Sequence, residues 1–192
     1  MAAGLGTRMR PLTERWPKPV LPIDGRPVVV TLVHELAAAG CAQIVVVTGH
    51  LAEQVEELLE PLPYEIRFVR QPPGEGSADA VQRAQARPPY LVVAADNAFT
   101  EGDLGRFARA AAAADGAVAL HGEERPPLWL VGERVHRFLD PLPGNPPYEL
   151  KDVFQNAIDA GARVSAIQVG RTRDLTEPVD LVRQNFPYLR ET

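Results

Sequence analysis

The sequence contains a single cysteine, Cys41, among its 192 residues. An internal disulfide is therefore excluded, as is any metal site built from several cysteines, and we expect Cys41 to be a buried, unreactive thiol. Lysine is almost as scarce, because only Lys18 and Lys151 are lysines in a set of 20 basic residues that is otherwise arginine. A lysine retained against such a bias invites a chemical explanation.

Long apolar runs and an excess of basic charge are also absent. No apolar stretch approaches the ~20 residues of a membrane-spanning helix, and the first residues lack the basic segment and apolar core of a secretion signal. The net charge of -5 argues against a nucleic-acid partner, since such proteins usually carry a basic face. We therefore expect a cytoplasmic protein with neither a membrane nor a nucleic acid as partner. The oligomeric state stays open, a homo-oligomer included.

The composition, with 45% hydrophobic and 23% charged residues, is typical of one folded domain, here residues 1–192. Hydrophobic periodicity predicts helices that alternate with short apolar strands. The helices are expected at about 27–39, 55–59, 78–86, 104–111, 153–158 and 178–186, and the strands at about 44–48, 65–70, 90–95, 117–120, 128–131 and 163–169. This alternation indicates an α/β fold with a mostly parallel sheet covered on both faces.

The string AAGLGTRMRPLTERWPKP near the start of the chain has the properties of a phosphate-binding loop. Gly4 and Gly6 allow backbone N–H groups to approach an anion closely. Thr7 adds a hydroxyl, Arg8 adds a planar cation, and Lys18 lies between two prolines that restrict its backbone. A bare G-x-G is more often a simple turn followed by a solvated loop, so the longer string carries the interpretation.

The full string resembles the motif G-x-G-T-R-(x)-x-P-L-T-…-P-K-P of the sugar-phosphate nucleotidyltransferases, the NDP-sugar pyrophosphorylase type that includes glucose-1-phosphate thymidylyltransferases and mannose-1-phosphate guanylyltransferases. The resemblance implies a Rossmann-like three-layer α/β/α fold. It also implies that an NTP and a sugar 1-phosphate are converted to an NDP-sugar and pyrophosphate. Carried over to this sequence, the resemblance assigns catalysis to Arg8 and Lys18. It assigns nucleotide binding to Ala2, Ala3, Gly4, Gly6 and Thr7.

The string QPPGEGSADAV, which begins at Gln71, resembles a second family segment. In the family, a glutamine after the third strand and the glycine of G-T-A-x-A contact the base. The resemblance therefore implies that Gln71 and Gly76 bind the nucleotide, together with Ser77, which replaces the usual threonine. Considered without the family, the same stretch is a polar loop in which Ser77 is the N-cap of the next helix.

Two aspartates stand in segments that resemble the family's metal-binding motifs. VVAADNAF resembles G-D-N-x-F, and GRTRDLTEPVDLVRQN resembles W-x-D-(I/V)-G-T-P-x-D-L-…-N. The resemblance implies that Asp96 and Asp174 together hold Mg²⁺, a hard ion that carboxylate and phosphate oxygens suit. Taken alone, such aspartates are also common as turn or cap residues.

Two features depart from the family pattern. The family's loop follows a short apolar strand, whereas only Met1 precedes it here, so the first strand of the expected fold is truncated. We expect either that the native start lies upstream of Met1 or that the fold is weakened. The family's E-K-P motif, whose side chains reach the sugar phosphate, is absent. Glu149 and Lys151 resemble part of a family E-x-T-D segment, which makes them candidates for binding the sugar phosphate.

Two alternatives to NDP-sugar synthesis follow from these departures. A cytidylyltransferase that acts on a smaller phosphate, such as phosphocholine or an inositol phosphate, is favoured by the shortened sugar side. A non-catalytic nucleotide-binding or regulatory module would bind nucleotide without releasing pyrophosphate.

Overall fold

Helices and strands alternate along residues 1–186, which the computed structural model describes. The helices are α1 Val28–Ala38, α2 Ala52–Leu59, α3 Ser77–Ala84, α4 Asp103–Ala111, α5 Glu133–His136, α6 Leu150–Asp159 and α7 Pro178–Asn185. The strands are β1 Pro22–Ile23, β2 Arg26–Pro27, β3 Gln43–Thr48, β4 Glu65–Arg70, β5 Tyr90–Val93, β6 Asn97–Ala98, β7 Gly116–Leu120, β8 Leu128–Val131, β9 Val164–Gln168 and β10 Arg173–Asp174. The predicted α/β class is confirmed.

The amphipathic helices form where the apolar periodicity predicts them. In α1 one face is buried, and the helix ends before Gly40, whose φ of 94° suits glycine. A capping box in which Glu177 and Asp180 each bind the other's backbone begins α7 at Pro178. Cys41 is half-buried rather than buried, and its partial burial raises the pKa of the thiol.

The strand directions are more mixed than the sequence predicts. β3 and β4 are parallel, as are β7 and β9, but β8 runs antiparallel to both β5 and β7. Residues 121–127 join β7 to β8 through an antiparallel bridge between His121 and Glu124. A parallel connection needs a crossover of about a dozen residues or more, which this short link cannot provide.

Met1 and Ala2 connect two separate groups of strands. Ala2 donates its backbone N–H to the Val47 carbonyl at 2.7 Å and forms a parallel bridge with Thr48. On the other side, the Met1 amine donates to the Val93 carbonyl at 2.7 Å, and the Met1 carbonyl accepts from Ala95 at 2.8 Å. The chain start therefore lies between β3 and β5, as a central strand would.

An apolar cavity of about 920 Å³ continues from Met1 between β3 and β5. Its walls include residues 43–47 and 90–93 from the facing edges of the two strands, together with side chains of α1 and α3. Among the strands of residues 1–186, β3 pairs with β4 alone and β5 with β8 alone. Apart from the contacts of Met1 and Ala2 at one end, both edges that face this cavity therefore lack a strand partner. We call this cavity the central slot.

Candidate active site

A second cavity, of about 550 Å³, opens at the carboxyl ends of β4 and β5, where ligands bind in sheets of this kind. Its walls come from the N-terminal loop, the loop between β4 and α3, and the segment before α6. Most residues predicted to bind substrate or metal line it: Ala2, Ala3, Gly4, Gly6, Thr7, Arg8, Lys18, Gln71, Gly76, Ser77, Asp96 and Glu149. The fold thus brings distant parts of the chain to one place.

The N-terminal loop is shaped by Thr13, which the sequence did not single out as a functional residue. Gly6 has φ of 60°, and a Cβ there would lie 2.8 Å from Thr13 Cγ2. Thr13 is buried and donates from Oγ1 to the Gly6 carbonyl at 2.8 Å, while its own carbonyl accepts from His50 Nε2 at 2.6 Å. A Cβ on Gly4 would meet nothing within 4 Å. The loop is therefore packed on its Thr13 side and open at Gly4, as an anion-binding turn requires.

Arg8 lies on the 3-10 turn Thr7–Met9, which buries Met9 and leaves the arginine exposed beside the cavity. Its side chain makes no hydrogen bond or ion pair with the residues that the structure describes, 1–186. The guanidinium can therefore turn both of its hydrogen-bonding edges towards phosphate oxygens of a ligand.

Lys18 forms an ion pair with Asp96 in the cavity wall. The distance between Lys18 Nζ and Asp96 Oδ2 is 2.5 Å, and the side chains are 13% and 27% exposed. The other carboxylate oxygen of Asp96 accepts from Asn97 Nδ2 at 2.8 Å. Lys18 begins a 3-10 turn directly after Pro17, whose extended backbone fixes the approach of the lysine. A cation and a carboxylate are thus held together, both accessible to a charged ligand.

The Met1 amine lies in the same wall and is fully buried. Desolvation lowers the pKa of this amine to about 6, although the nearby Asp96 carboxylate acts in the opposite direction.

Gln71 follows β4 and is 8% exposed, with its backbone N–H donated to the Thr48 carbonyl at 2.8 Å. Its side-chain Nε2 donates to the Gly76 carbonyl at 2.7 Å and to Asp79 Oδ2 at 2.8 Å. The same Asp79 oxygen accepts from Arg83 Nε at 2.7 Å. The sequence analysis did not identify Asp79 as a functional residue; the available signal was its spacing of four residues from Arg83 on the predicted helix.

Ser77 does not cap its own helix, which corrects the alternative interpretation of that residue. The N-cap of α3 is Gly76, with no side-chain cap, and Ser77 is the first helical residue. Instead, Ser77 Oγ accepts from the backbone N–H of Leu150, the first residue of α6, at 2.8 Å and donates to Glu149 Oε2 at 2.7 Å. The hydroxyl therefore fixes Glu149 at the far end of the cavity.

Gly76 allows the chain to approach Tyr148 closely. Its φ is 91°, and a Cβ there would lie 2.3 Å from the Tyr148 carbonyl oxygen. That carbonyl accepts from the Ala78 N–H at 2.8 Å, and the Tyr148 N–H donates to the Glu75 carbonyl at 2.8 Å. The segment before α6 is thereby fastened to the loop that carries Gly76.

Asp174 and Lys151 lie outside the residues that line this cavity. Asp174 is exposed on β10, in register with Asn97 of β6, and its Oδ2 accepts from Thr176 Oγ1 at 2.8 Å. Lys151 is exposed on the first turn of α6. The structure therefore places Asp174 on the strand beside the one that follows Asp96, and Lys151 next to Glu149 in sequence but away from the cavity wall.

Within residues 1–186, no helix combines the length and the hydropathy that a membrane crossing requires. The same residues contain no group of three or more His, Cys, Asp or Glu side chains placed to hold a metal ion.

Comparison with known proteins identifies a domain and several relatives. Residues 1–163 match the MobA-like NTP transferase domain. The chain is 34% identical over 143 residues to an N-acetylmuramate alpha-1-phosphate uridylyltransferase of Neisseria meningitidis, an alignment that covers 71% of this chain and 59% of the relative. It is 49% identical over 63 residues to a 2-aminoethylphosphonate cytidylyltransferase of Lancefieldella rimae, which covers 33% of this chain and 26% of the relative. The matched regions thus span about a quarter to three fifths of these relatives.

Solved structures support the fold. A UDP-glucose pyrophosphorylase of Acinetobacter baumannii superposes with a TM-score of 0.80 at 19% identity, covering 97% of this chain and 90% of that one. These structures confirm the Rossmann-like α/β class, and the domain match confirms the resemblance to nucleotidyltransferases that the N-terminal loop indicates. Since the domain match extends over most of the sequence, the chain belongs to the family of MobA-like NTP transferase domains.

Proposed function

We propose that this protein transfers a nucleotidyl group from a nucleoside triphosphate to a sugar 1-phosphate and releases pyrophosphate. The observation that carries the proposal is the single cavity in which a glycine-rich loop, the Lys18–Asp96 pair and the Gln71 amide lie together. We assign each of these three features to a different part of the two substrates. The name of the Neisseria relative, a uridylyltransferase that acts on a sugar 1-phosphate, supports the same class of acceptor.

The phosphate end of the substrate is assigned to the N-terminal loop. The exposed backbone near Gly4 and the unpaired Arg8 guanidinium offer donors to the triphosphate. Lys18, held at the neighbouring wall, neutralises the charge that develops on the leaving phosphates.

The base of the NTP and the acceptor sugar phosphate are assigned to the other two sides of the cavity. Gln71, Gly76 and Ser77 form the wall at which the base is read. Glu149, fixed by Ser77, faces the acceptor, with a hydroxyl of the sugar as its hydrogen-bond donor. Lys151, exposed on the first turn of α6, does not line the cavity, and its proposed role is to attract the acceptor's phosphate as it approaches.

The reaction needs alignment more than it needs a base. An oxygen of the sugar phosphate, already an anion, forms a bond to the α-phosphorus while the bond from that phosphorus to the bridging oxygen of pyrophosphate breaks. The electron pair leaves with pyrophosphate, and no proton has to be removed. The chain's own contribution is to hold the two reactants in line and to stabilise negative charge with Arg8 and Lys18.

A Mg²⁺ ion fits the donor chemistry at Asp96. The Asp96 carboxylate reaches the cavity, and Asp174 lies on the adjacent strand with one oxygen bound only by a hydroxyl. Two carboxylates completed by phosphate oxygens are the hard ligands that Mg²⁺ prefers. When bound, the ion would neutralise negative charge on the phosphates of the two reactants.

One observation favours a second candidate, a cytidylyltransferase that acts on a smaller phosphate or phosphonate. The similarity to the Lancefieldella relative, although short, is higher in identity than the similarity to the uridylyltransferase. In this version the nucleophile is again an acidic phosphorus oxyanion, so the roles of Arg8 and Lys18 are unchanged.

Pyrophosphate release separates these candidates. We would incubate the protein and Mg²⁺ with UTP, dTTP, CTP or GTP, each paired with glucose 1-phosphate, N-acetylglucosamine 1-phosphate, phosphocholine or 2-aminoethylphosphonate. Release with a sugar 1-phosphate supports the leading proposal, and release with CTP and a small acceptor alone supports the second. Nucleotide binding without release from any pair would leave a non-catalytic module and contradict both.

A further inference from the structure

The amide of Gln71 has both of its hydrogens committed inside the protein. A glutamine amide nitrogen carries two N–H groups. Here they are donated to the Gly76 carbonyl at 2.7 Å and to Asp79 Oδ2 at 2.8 Å. The side chain therefore has no donor left for a ligand, even though Gln71 lines the cavity.

Asp79 determines which end of the amide faces inward. Asp79 is 5% exposed on the first turn of α3, and an ionised carboxylate only accepts hydrogen bonds. It therefore selects Nε2, and not Oε1, as the amide atom beside it, an orientation that the Gly76 carbonyl selects as well. Its buried charge is balanced by Arg83, whose pKa is raised by the hydrogen bond to Asp79.

The amide oxygen of Gln71 is the atom left for a ligand. Gln71 Oε1 accepts no hydrogen bond from the residues that the structure describes, and it is not among their buried unsatisfied atoms. It therefore retains access to solvent at the cavity wall. Gln71 thus presents an acceptor, and only an acceptor, at the point where the base is proposed to bind.

We infer that Asp79 is a positioning residue for base recognition, which holds the Gln71 amide so that Oε1 faces an N–H group of the bound base. This inference rests on the proposed nucleotide site. Suitable groups are the N3–H of uracil or thymine, the N1–H of guanine, and the amino group of cytosine or adenine. A base edge that offers only a carbonyl or ring nitrogen leaves Oε1 without a partner and is disfavoured.

The first test removes the acceptor at position 79. We would measure dissociation constants of UTP, dTTP, CTP and GTP, and of inorganic tripolyphosphate, which has no base. In Asp79→Ala the amide keeps only its bond to the Gly76 carbonyl and is held less firmly. The selectivity for the tightest-bound NTP over tripolyphosphate should therefore fall about ten-fold, roughly the value of one hydrogen bond to a charged or fixed group. Tripolyphosphate affinity should stay within about two-fold, because its contacts lie on the other loop.

Two companion variants distinguish positioning from a loss of structure. Asp79→Asn retains an oxygen that can accept from both Gln71 and Arg83, so it should restore the wild-type selectivity. Gln82→Ala alters the same helix at a side chain that donates to the Leu139 carbonyl instead, and it should leave selectivity unchanged. Selectivity that survives in Asp79→Ala, or a loss shared equally by tripolyphosphate, would overturn the inference.

A second test needs no variant. Methylation removes the N–H group that faces Oε1, so each methylated nucleotide should bind at least about ten-fold more weakly than its parent. The matching derivative is N3-methyl for UTP or dTTP, N1-methyl for GTP and N4,N4-dimethyl for CTP. Equal binding of parent and methylated nucleotide would contradict the inference while leaving the nucleotide site intact. A wild-type protein that binds tripolyphosphate but shows no preference for any NTP over it would instead contradict the proposed function.

Discussion

Lys18 joins two parts of the site that are far apart in the sequence. It belongs to the N-terminal loop, and its partner Asp96 follows β5. The pair places a cation beside the phosphate-binding loop while Asp96 remains accessible to a metal ion. An incoming triphosphate therefore meets a charge pair that it can rearrange at small cost, because each member finds an opposite charge in the ligand.

Replacement of Lys18 by alanine is the direct test of its chemical role. We expect Lys18→Ala to reduce turnover by about 10²-fold or more, as loss of one preorganised charge-stabilising group does in other enzymes. The assay is pyrophosphate release at saturating NTP. Arg163→Ala is a suitable control because Arg163 is an exposed cation just before β9, at the opposite edge of the sheet. Near-normal turnover in Lys18→Ala would remove Lys18 from the mechanism.

The sequence predicts which loop residues lie together at the cavity, but not how they are held. Gly4, Gly6, Arg8 and Lys18 are recognisable because they fall together in one long string that resembles a family motif. The Lys18–Asp96 pair and the role of Thr13 depend on three-dimensional contacts that no local spacing encodes.

At the scale of elements, the loop between β4 and α3 is fastened to the segment before α6. Periodicity predicts both helices, because each has a clear apolar face. It does not predict that Ser77 supplies a bond to the N-terminus of α6, or that β8 reverses direction. Both features follow from the packing of elements. The reversal of β8 follows also from the short connection between β7 and β8.

Two glycines in this loop allow the contact with Tyr148 to be measured. Gly74 and Gly76 both have positive φ, at 83° and 91°, but a Cβ on Gly74 would meet nothing within 4 Å. Gly74→Ala should therefore cost about 1 kcal/mol from backbone strain alone, and Gly76→Ala about 1–3 kcal/mol more. Urea unfolding measures both. Equal costs would mean that the Tyr148 segment moves aside freely.

At the scale of the whole molecule, the central slot is the main departure from a complete sheet. The sequence predicts that the first strand is truncated, and the structure places Met1 and Ala2 at one end of that strand position. Its remaining length is the apolar cavity between β3 and β5. Strand propensities could not reveal the cavity, because it is bounded by residues from several distant elements.

An added strand should stabilise the protein. A five-residue extension rich in valine and isoleucine, joined to the amino group of Met1, can pair with both facing strand edges. We expect it to raise the free energy of unfolding by about 2–5 kcal/mol, the burial of its side chains less the cost of ordering them. A Gly-Ser extension of the same length is the control. If the two extended proteins have the same free energy of unfolding in urea, the slot does not accept a strand.

When the protein is produced with Met1 as its first residue, the buried Met1 amine should make its stability depend on pH. Its pKa is about 6 in the folded chain and about 8 when unfolded, so the unfolded state binds more protons between these values. The free energy of unfolding should therefore fall as the pH is lowered from 8 to 6, by about 2–3 kcal/mol from this group.

The Gly-Ser extension isolates that effect, because it converts the amine at Met1 into a peptide N–H. The comparison is needed since burial also raises the pKa of Glu35 to about 7, which acts in the opposite direction below pH 7. Relative to any constant offset, the free energies of unfolding of the two proteins should agree towards pH 8 and separate towards pH 6, where only the protein with a free Met1 amine loses stability. Parallel pH profiles would show that the amine does not titrate in this window.

The central slot also bears on how the protein behaves in concentrated solution. Open strand edges are templates for pairing with another chain, and proteins usually confine them to the rim of a sheet, where charge or proline protects them. Here two such edges face each other in the interior, walled by valine and isoleucine. A transient separation of the two groups of strands would present both at once. When the protein is produced with Met1 as its first residue, self-association should therefore begin at this seam, and the five-residue extension should make the protein more soluble as well as more stable.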